Sequence, residues 1–358
     1  MTFFSKNPTR SAKRGIGFFA FLTFASGFIA LASLPTPYLI ERPGPAYNVL
    51  GTIAGEDVIQ IQDQETFDSE GALDVLTVSI VGTPEQTPSW LELALAYLDG
   101  AQKVVPIEAL YPPGQSTEEV KAESSALMEV SQQDAIAAAL LELGYEVPRA
   151  VYISEVASDS PSSGKLVAGD FVTAVSGTKV TDIEQLRDLV GKWNESDPLK
   201  VSVLRSGTSK EYEISPYKDD EGKYRLGIVV GYTYDFPFEV KLQLGDVGGP
   251  SGGMMFALGI IDRLTPGDLT GGKHVAGTGT ISPSGEVGPI GGIVQKMYGA
   301  KRAGAELFLA PAANCSEVVG NEPDGMRVVK IVTLKDALRA LESFASGQDM
   351  AALPTCTK

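Results

Sequence analysis

The sequence predicts an α+β fold in two parts, preceded by one apolar N-terminal helix. Three observations carry that expectation. Runs alternating at period two interleave with apolar residues at helical spacing across residues 43–345. Residues 148–216 change character, with short strands and closely set turn signals. Residues 15–34 hold no charged side chain.

The N-terminal segment comes first. Lys6, Arg10, Lys13 and Arg14 form a basic stub over residues 1–14, and no acid precedes Glu41. The uncharged stretch after it, at ~1.5 Å per residue, covers roughly 30 Å, the hydrocarbon thickness of a bilayer. The expectation is a transmembrane helix over residues 15–34. The basic flank places the N-terminus in the cytoplasm and the rest outside, anchored to a cell membrane. A cleaved signal peptide is the competing reading, because Ala30-Leu31-Ala32 fits the small-residue cleavage pattern. Hydrophobic residues at 43 % and charged residues at 21 % exclude a disordered chain. The formal net charge of −16 repels phosphate backbones, which excludes nucleic acid as a partner. Cys315 and Cys356 are the two cysteines. An oxidising compartment permits a disulfide between them, tying the C-terminal tail (346–358) to the body. Two free thiols are the alternative, and neither number nor spacing suits zinc, so no metal is expected.

Residues 43–147 open with turn signals at Pro43-Gly44-Pro45, Gly51 and Gly55 around a short strand, Val58 to Ile61. A second strand reads out over Leu76 to Ile80. Pro88-Ser89 starts a helix to Leu98, with Trp90, Leu91, Ala94 and Leu98 on one face. Ser116 and Glu119 make a capping-box pattern ahead of a long helix to about Leu143, apolar from Ala135 onward. Within 148–216, Val151-Tyr152-Ile153 is a strand and Ser160-Pro161 a turn. Next come Ala168-Gly169-Asp170, a strand at Ala174-Val175, and the turn Ser176-Gly177. A helix from Ile183 to Val190 precedes strands at Val201–Leu204 and Tyr212–Ile214. In 224–345 strands are expected at Leu226–Val230, Phe238–Leu244, Val275–Ile281, Leu307–Ala310 and Val328–Val332. Helices are expected from Ser251 to about Arg263, over Ile293–Ala303 and over Leu334–Phe344, with Thr265-Pro266-Gly267-Asp268 stopping the first.

The chemistry starts from a scarcity. The chain has one histidine, His274, in a polar stretch, so a Ser-His-Asp triad would depend on that residue alone. Another base is needed for hydrolysis. Gly248-Gly249-Pro250-Ser251-Gly252-Gly253 puts Ser251 at a helix start, where backbone N–H groups and the helix dipole can stabilise an oxyanion. An N-cap role explains the serine equally well. Val287-Gly288-Pro289-Ile290-Gly291-Gly292 leads into a helix on which Ile293, Lys296 and Ala300 share the apolar face. A lysine buried there loses basicity and becomes a competent base near neutral pH. A lysine snorkelling its stem along the helix is the alternative.

Together the two motifs resemble the proteolytic domain of Lon-type proteases. That family pairs a serine in a G-P-S turn with a lysine following V-x-P-[IV]-G-G. The resemblance runs on through Thr278-Gly279-Thr280-Ile281, Ala303-Gly304-Ala305 and Leu307-Phe308-Leu309-Ala310-Pro311. It implies Ser251 as nucleophile, Lys296 as general base and Thr278 as the residue that orients the lysine amine. Residues 148–216 resemble a PDZ domain of the bacterial protease-associated type. The turn at Asp170, the turn at Gly177 and the Asp182-Ile183-Glu184-Gln185-Leu186 helix carry that likeness. Such domains add extended peptides to a sheet edge.

The layout is similar to membrane-anchored, ATP-independent Lon-like proteases of Gram-positive bacteria. It implies a PDZ segment inserted in the protease, with residues 43–147 packing on the proteolytic domain of 224–345. No G-x-x-x-x-G-K-[ST] phosphate loop is present, so no nucleotide cofactor is expected. The acid often found three residues before the family's serine is Gly248 here, with Asp246 two positions earlier. The implied activity is that of a serine endopeptidase on extracytoplasmic or membrane-associated proteins, its PDZ region recruiting peptide ends. An inactive PDZ-containing adaptor is the reading from another class. Partners are protein or peptide substrates, and assembly of copies into a homo-oligomer stays open.

Overall fold

Capping side chains set the helix starts where the sequence places them. Ser89 with Glu92, Ser116 with Glu119, and Thr333 with Asp336 each exchange hydroxyl, carboxylate and backbone N–H bonds. The computed structural model describes residues 9–245, 247–347 and 350–357. In chain order, α1 (Thr9–Ser33) is followed by β1 (Tyr38–Asn48), β2 (Ile59–Ile61), β3 (Ala72–Val81), α2 (Trp90–Leu98), β4 (Lys103–Pro106) and α3 (Thr117–Glu142). Next are β5 (Arg149–Val156), β6 (Phe171–Val175), α4 (Ile183–Gly191), β7 (Leu199–Arg205), β8 (Thr208–Ile214) and β9 (Ile228–Tyr234). The rest comprises β10 (Val240–Leu242), α5 (Gly253–Leu264), β11 (His274–Gly277), α6 (Ile293–Ala303), β12 (Leu307–Pro311), β13 (Arg327–Ile331) and α7 (Leu334–Ser346).

Two units result, and Leu143–Glu239 interrupts the other. The interrupted unit is built on a mixed sheet of order β13-β12-β11-β3-β1-β4. β13, β12, β11 and β3 run parallel, while β1 is antiparallel to both β3 and β4. Parallel strands need cover on both faces, and all five residues of β12 are buried. One face carries α6, where Ile293, Met297 and Ala300 join Leu76, Ala276 and Phe308 in one core cluster. On the other lies α5, buried from Gly253 to Asp262 and packed in turn against α3. A helix apolar all round belongs at such a centre. Cys315 and Cys356 are joined by a disulfide with Cα atoms 5.0 Å apart. Beside it, the Lys330 N–H donates to the Pro354 carbonyl at 2.8 Å.

The inserted unit is a five-strand path, β8-β7-β6-β5-β9, closed by α4 over Val151, Ile153, Val172, Val201 and Val203. Asp170 is fully buried and takes a bidentate pair from Arg205 at 2.6 and 2.7 Å, plus the Val167 N–H at 3.0 Å. Burial alone would raise its pKa, but these bonds hold the carboxyl below its ordinary value.

Three expectations need correction. No helix among the described residues is long and apolar enough to cross a membrane. α1 covers much of the segment. The transmembrane helix over 15–34, the membrane-anchored layout, the two-sided topology and the extracytoplasmic localisation are withdrawn. The stub ahead of Thr9 lies outside the described residues. Second, Pro43-Gly44-Pro45 reads as a turn, yet it lies within β1 at an irregularity in the β1–β3 register. β4 pairs with β1 only over Tyr38–Glu41, so the prolines fall on an open edge, where a missing N–H costs little. Third, the strand expected at Leu226–Val230 belongs to the inserted unit. It forms β9, which pairs antiparallel with β5, so that unit extends past Pro216 to Glu239.

Candidate active site

Ser251 occupies a 3₁₀ turn, Pro250–Gly252, that runs directly into α5. No side chain caps α5. The Gly253 position admits no side chain, since a Cβ there would sit 2.9 Å from both Ile281 Cγ2 and Ser131 Oγ. The turn is therefore seated tightly between α3 and the short strand Thr280–Ile281. Lys296 lies in the first turn of α6 and its N–H donates to the Gly292 carbonyl at 3.0 Å. Gly292 has φ +69° and a Cβ there would meet Val78 Cγ2 at 2.6 Å, so only glycine brings the helix this close to β3.

These elements bring three polar groups together. Lys296 Nζ is 2.7 Å from Ser251 Oγ and 3.0 Å from Thr278 Oγ1. Thr278, fully buried, donates its hydroxyl to the Ser251 carbonyl at 2.9 Å. The Gly279 N–H reaches the same carbonyl at 2.8 Å. Lys296 is 3 % exposed, and burial lowers its pKa from 10.5 to about 7. Its place in the first turn of α6, at the positive end of the helix dipole, works in the same direction. An amine in that state carries a free lone pair on a substantial fraction of molecules at neutral pH. A hydroxyl 2.7 Å away can then donate to it.

A cavity of about 430 Å³ opens over Ser251, lined among others by Tyr47, Val75, Thr77, Met128 and Lys296. Among the described residues no cluster of His, Cys, Asp or Glu is arranged to hold a metal ion.

His274 is elsewhere. It sits on β11 with Nε2 2.7 Å from Oδ2 of the buried Asp74, a partner that the polar stretch around it does not reveal. Asp246 lies outside the described residues. Cys315 and Cys356 are apart from the serine and lysine, but Cys315 comes directly after a residue that matters locally. The Asn314 amide grips the backbone of Ile290, accepting its N–H at 3.0 Å and donating to its carbonyl at 2.9 Å. That fixes the loop leading to Lys296. On the serine side, the Ser131 hydroxyl of α3 donates to the Pro250 carbonyl at 2.9 Å, and the Gly249 N–H donates to the Ser124 carbonyl at 2.9 Å. Sequence reasoning passed over Ser124, Ser131 and Asn314. The signal for the first two was the spacing of Ser124, Met128 and Ser131, which share one face of a helix.

Known proteins bear on this geometry. Residues 245–341 match the family of the Lon protease (S16) C-terminal proteolytic domain, and residues 115–215 match the PDZ domain family. The Lon protease of Lachnoclostridium phytofermentans is 30 % identical over 201 residues, 52 % of this chain and 23 % of that protein. The Lon protease of Roseiflexus castenholzii is 44 % identical over 70 residues, 20 % of this chain and 8 % of its own. Lon protease 2 of Bacillus subtilis is 35 % identical over 107 residues, covering 29 % of this chain and 18 % of that one. The chain thus spans less than a quarter of the length of these relatives. The match to the Lon (S16) proteolytic domain takes in Ser251, Thr278 and Lys296 and supports a serine-type peptidase, and the second match supports an inserted PDZ domain.

Proposed function

We propose that the chain is an endopeptidase using a Ser251–Lys296 dyad. The observation that carries the reading is the 2.7 Å contact between Ser251 Oγ and a buried amine with a pKa of about 7. Neutral Lys296 accepts the Ser251 proton as Oγ attacks the scissile carbonyl. The N–H groups at the start of α5 stabilise the oxyanion. The C–N bond breaks, the amine leaves with the proton carried by Lys296, and an ester to Ser251 remains. Water attacks that ester, again giving a proton to Lys296, which returns it to Ser251 Oγ as the ester C–O bond breaks and the acid product departs. Thr278 orients the amine through its 3.0 Å contact.

The substrate reading is an extended polypeptide. β3 pairs with β11 only over Ala72–Val75, and no described strand covers that edge from Leu76 onward. Val75 to Val78 line the cavity, so a peptide can add to this edge by backbone hydrogen bonds. The PDZ domain recruits peptide ends in the same manner. A groove of about 490 Å³ between α4 and the edge strand β9, lined by Leu186, Val190 and Val229, supports that role. The reading includes cleavage without ATP. The test is hydrolysis of an unfolded protein without nucleotide by the parent chain, Ser251→Ala and Lys296→Ala. The expected result is cleavage by the parent alone; parental rates in both variants would reject the dyad.

A further inference from the structure

The cavity over Ser251 continues into a second depression of about 880 Å³. Met128, Val247 and Gly248 line both, so the two form one groove that passes the serine. No residue of β3 lines the second part. Its walls are the first half of α3 together with residues 242–245, Val247 and Gly248. On α3 the lining positions Thr117, Lys121, Ser124, Met128 and Gln132 recur every three to four residues, which places them along one helix face. From Thr117 to Gln132 that face is about 22 Å long at ~1.5 Å per residue. Six or seven residues of extended chain, at ~3.3 Å each, would fill roughly that length.

The groove is polar as well as long. Lys121 and Glu129 are exposed along it, and the Thr117 hydroxyl is buried with no hydrogen-bond partner. Lys121 stands about 10 Å along the helix from Met128, the residue at the junction with the catalytic cavity. That distance corresponds to about three residues of extended peptide. Glu129, one residue after Met128, brings the opposite charge to the same groove. The groove therefore offers a charge pattern as well as a length, whereas the β3 edge offers backbone groups that read no side chain.

We propose that the α3 groove holds the substrate chain on the side of the scissile bond opposite the β3 edge, and that Lys121 there selects an acidic side chain. This rests on Ser251 as the nucleophile. The enzyme is then bipartite, sequence-tolerant on one side of the bond and charge-selective on the other.

The experiment uses internally quenched peptides with one cleavage site, lengthened from two to eight residues on either side of it. A matched pair carries Glu or Lys three or four residues from the bond. For the parent, kcat/KM is expected to climb with length on one side and level off after about six residues. The Glu peptide should be favoured about threefold to fivefold, the range an exposed ion pair supplies. Lys121→Glu, a substitution at an exposed position, should reverse that preference. Length-independent rates, or a charge preference untouched by Lys121→Glu, would overturn the proposal while cleavage of the short peptide keeps the dyad standing. If no peptide is cleaved and fluorophosphonate labels the parent and Ser251→Ala alike, the dyad and the groove fall together.

Discussion

Lys296 is 3 % exposed and carries a pKa lowered by burial to about 7, so its ammonium form burdens the folded chain. The unfolded lysine holds its proton up to about pH 10.5, the folded one only to about 7. The stability of the neutral, folded amine is therefore complete above the unfolded value and is lost as pH falls through the folded one. At neutral pH the loss is on the order of 4 kcal/mol, an upper figure for a fully dry site. Lys296→Met should thus be more stable than the parent at pH 6–7, with a gap that narrows above pH 10. Denaturant unfolding at the two pH values checks this. A gap of equal size at both would mean that the lysine is not held neutral by its surroundings. The same burden explains the company Lys296 keeps, since the Thr278 and Ser251 hydroxyls satisfy the amine without neutralising a charge.

At the scale of elements, α3 acts as a brace for the nucleophile turn. Ser131 is 4 % exposed and its hydroxyl meets the carbonyl of the residue just before Ser251. That carbonyl also accepts the Gly253 N–H, so removing the hydroxyl leaves it one partner and costs about 1 kcal/mol of stability. Ser131→Ala is expected to lower kcat about tenfold, the equivalent of ~1.4 kcal/mol in the barrier, with KM little changed. Steady-state kinetics per titrated active site check it. A fall in melting temperature with unchanged kcat would reduce Ser131 to packing. The two glycine-rich turns around Ser251 and Lys296 are legible in the sequence because glycine, proline and helix periodicity mark them locally. Ser131 and Asn314 are not, because a serine 120 residues upstream or an asparagine 18 downstream gains meaning only from tertiary contact.

For the whole molecule, local signals located most helices and the buried parallel strands of the C-terminal half. They erred where position in the sheet overrides composition. Pro43 and Pro45 read as turn residues because proline removes a donor, yet an open edge asks for none. β9 reads as the opening strand of the C-terminal part because it comes after a turn-rich stretch, but its partner β5 lies more than seventy residues back. The membrane span expected from the uncharged run fails as well, since no helix among the described residues is long and apolar enough to cross a membrane. The insertion obeys the same logic. α3 and β10 flank the inserted unit in sequence and also form the walls and approach of the groove beside Ser251. The central claim is that Ser251 is activated by a neutral Lys296. It is tested most directly by the rate at which a fluorophosphonate modifies Ser251 between pH 5 and pH 9, in the parent and in Lys296→Ala. The account predicts a parental rate that rises with a midpoint near pH 7, and a variant slower by about a hundredfold or more with no such inflection. A Lys296→Ala rate equal to the parent's, or a parental profile flat through pH 7, would contradict it.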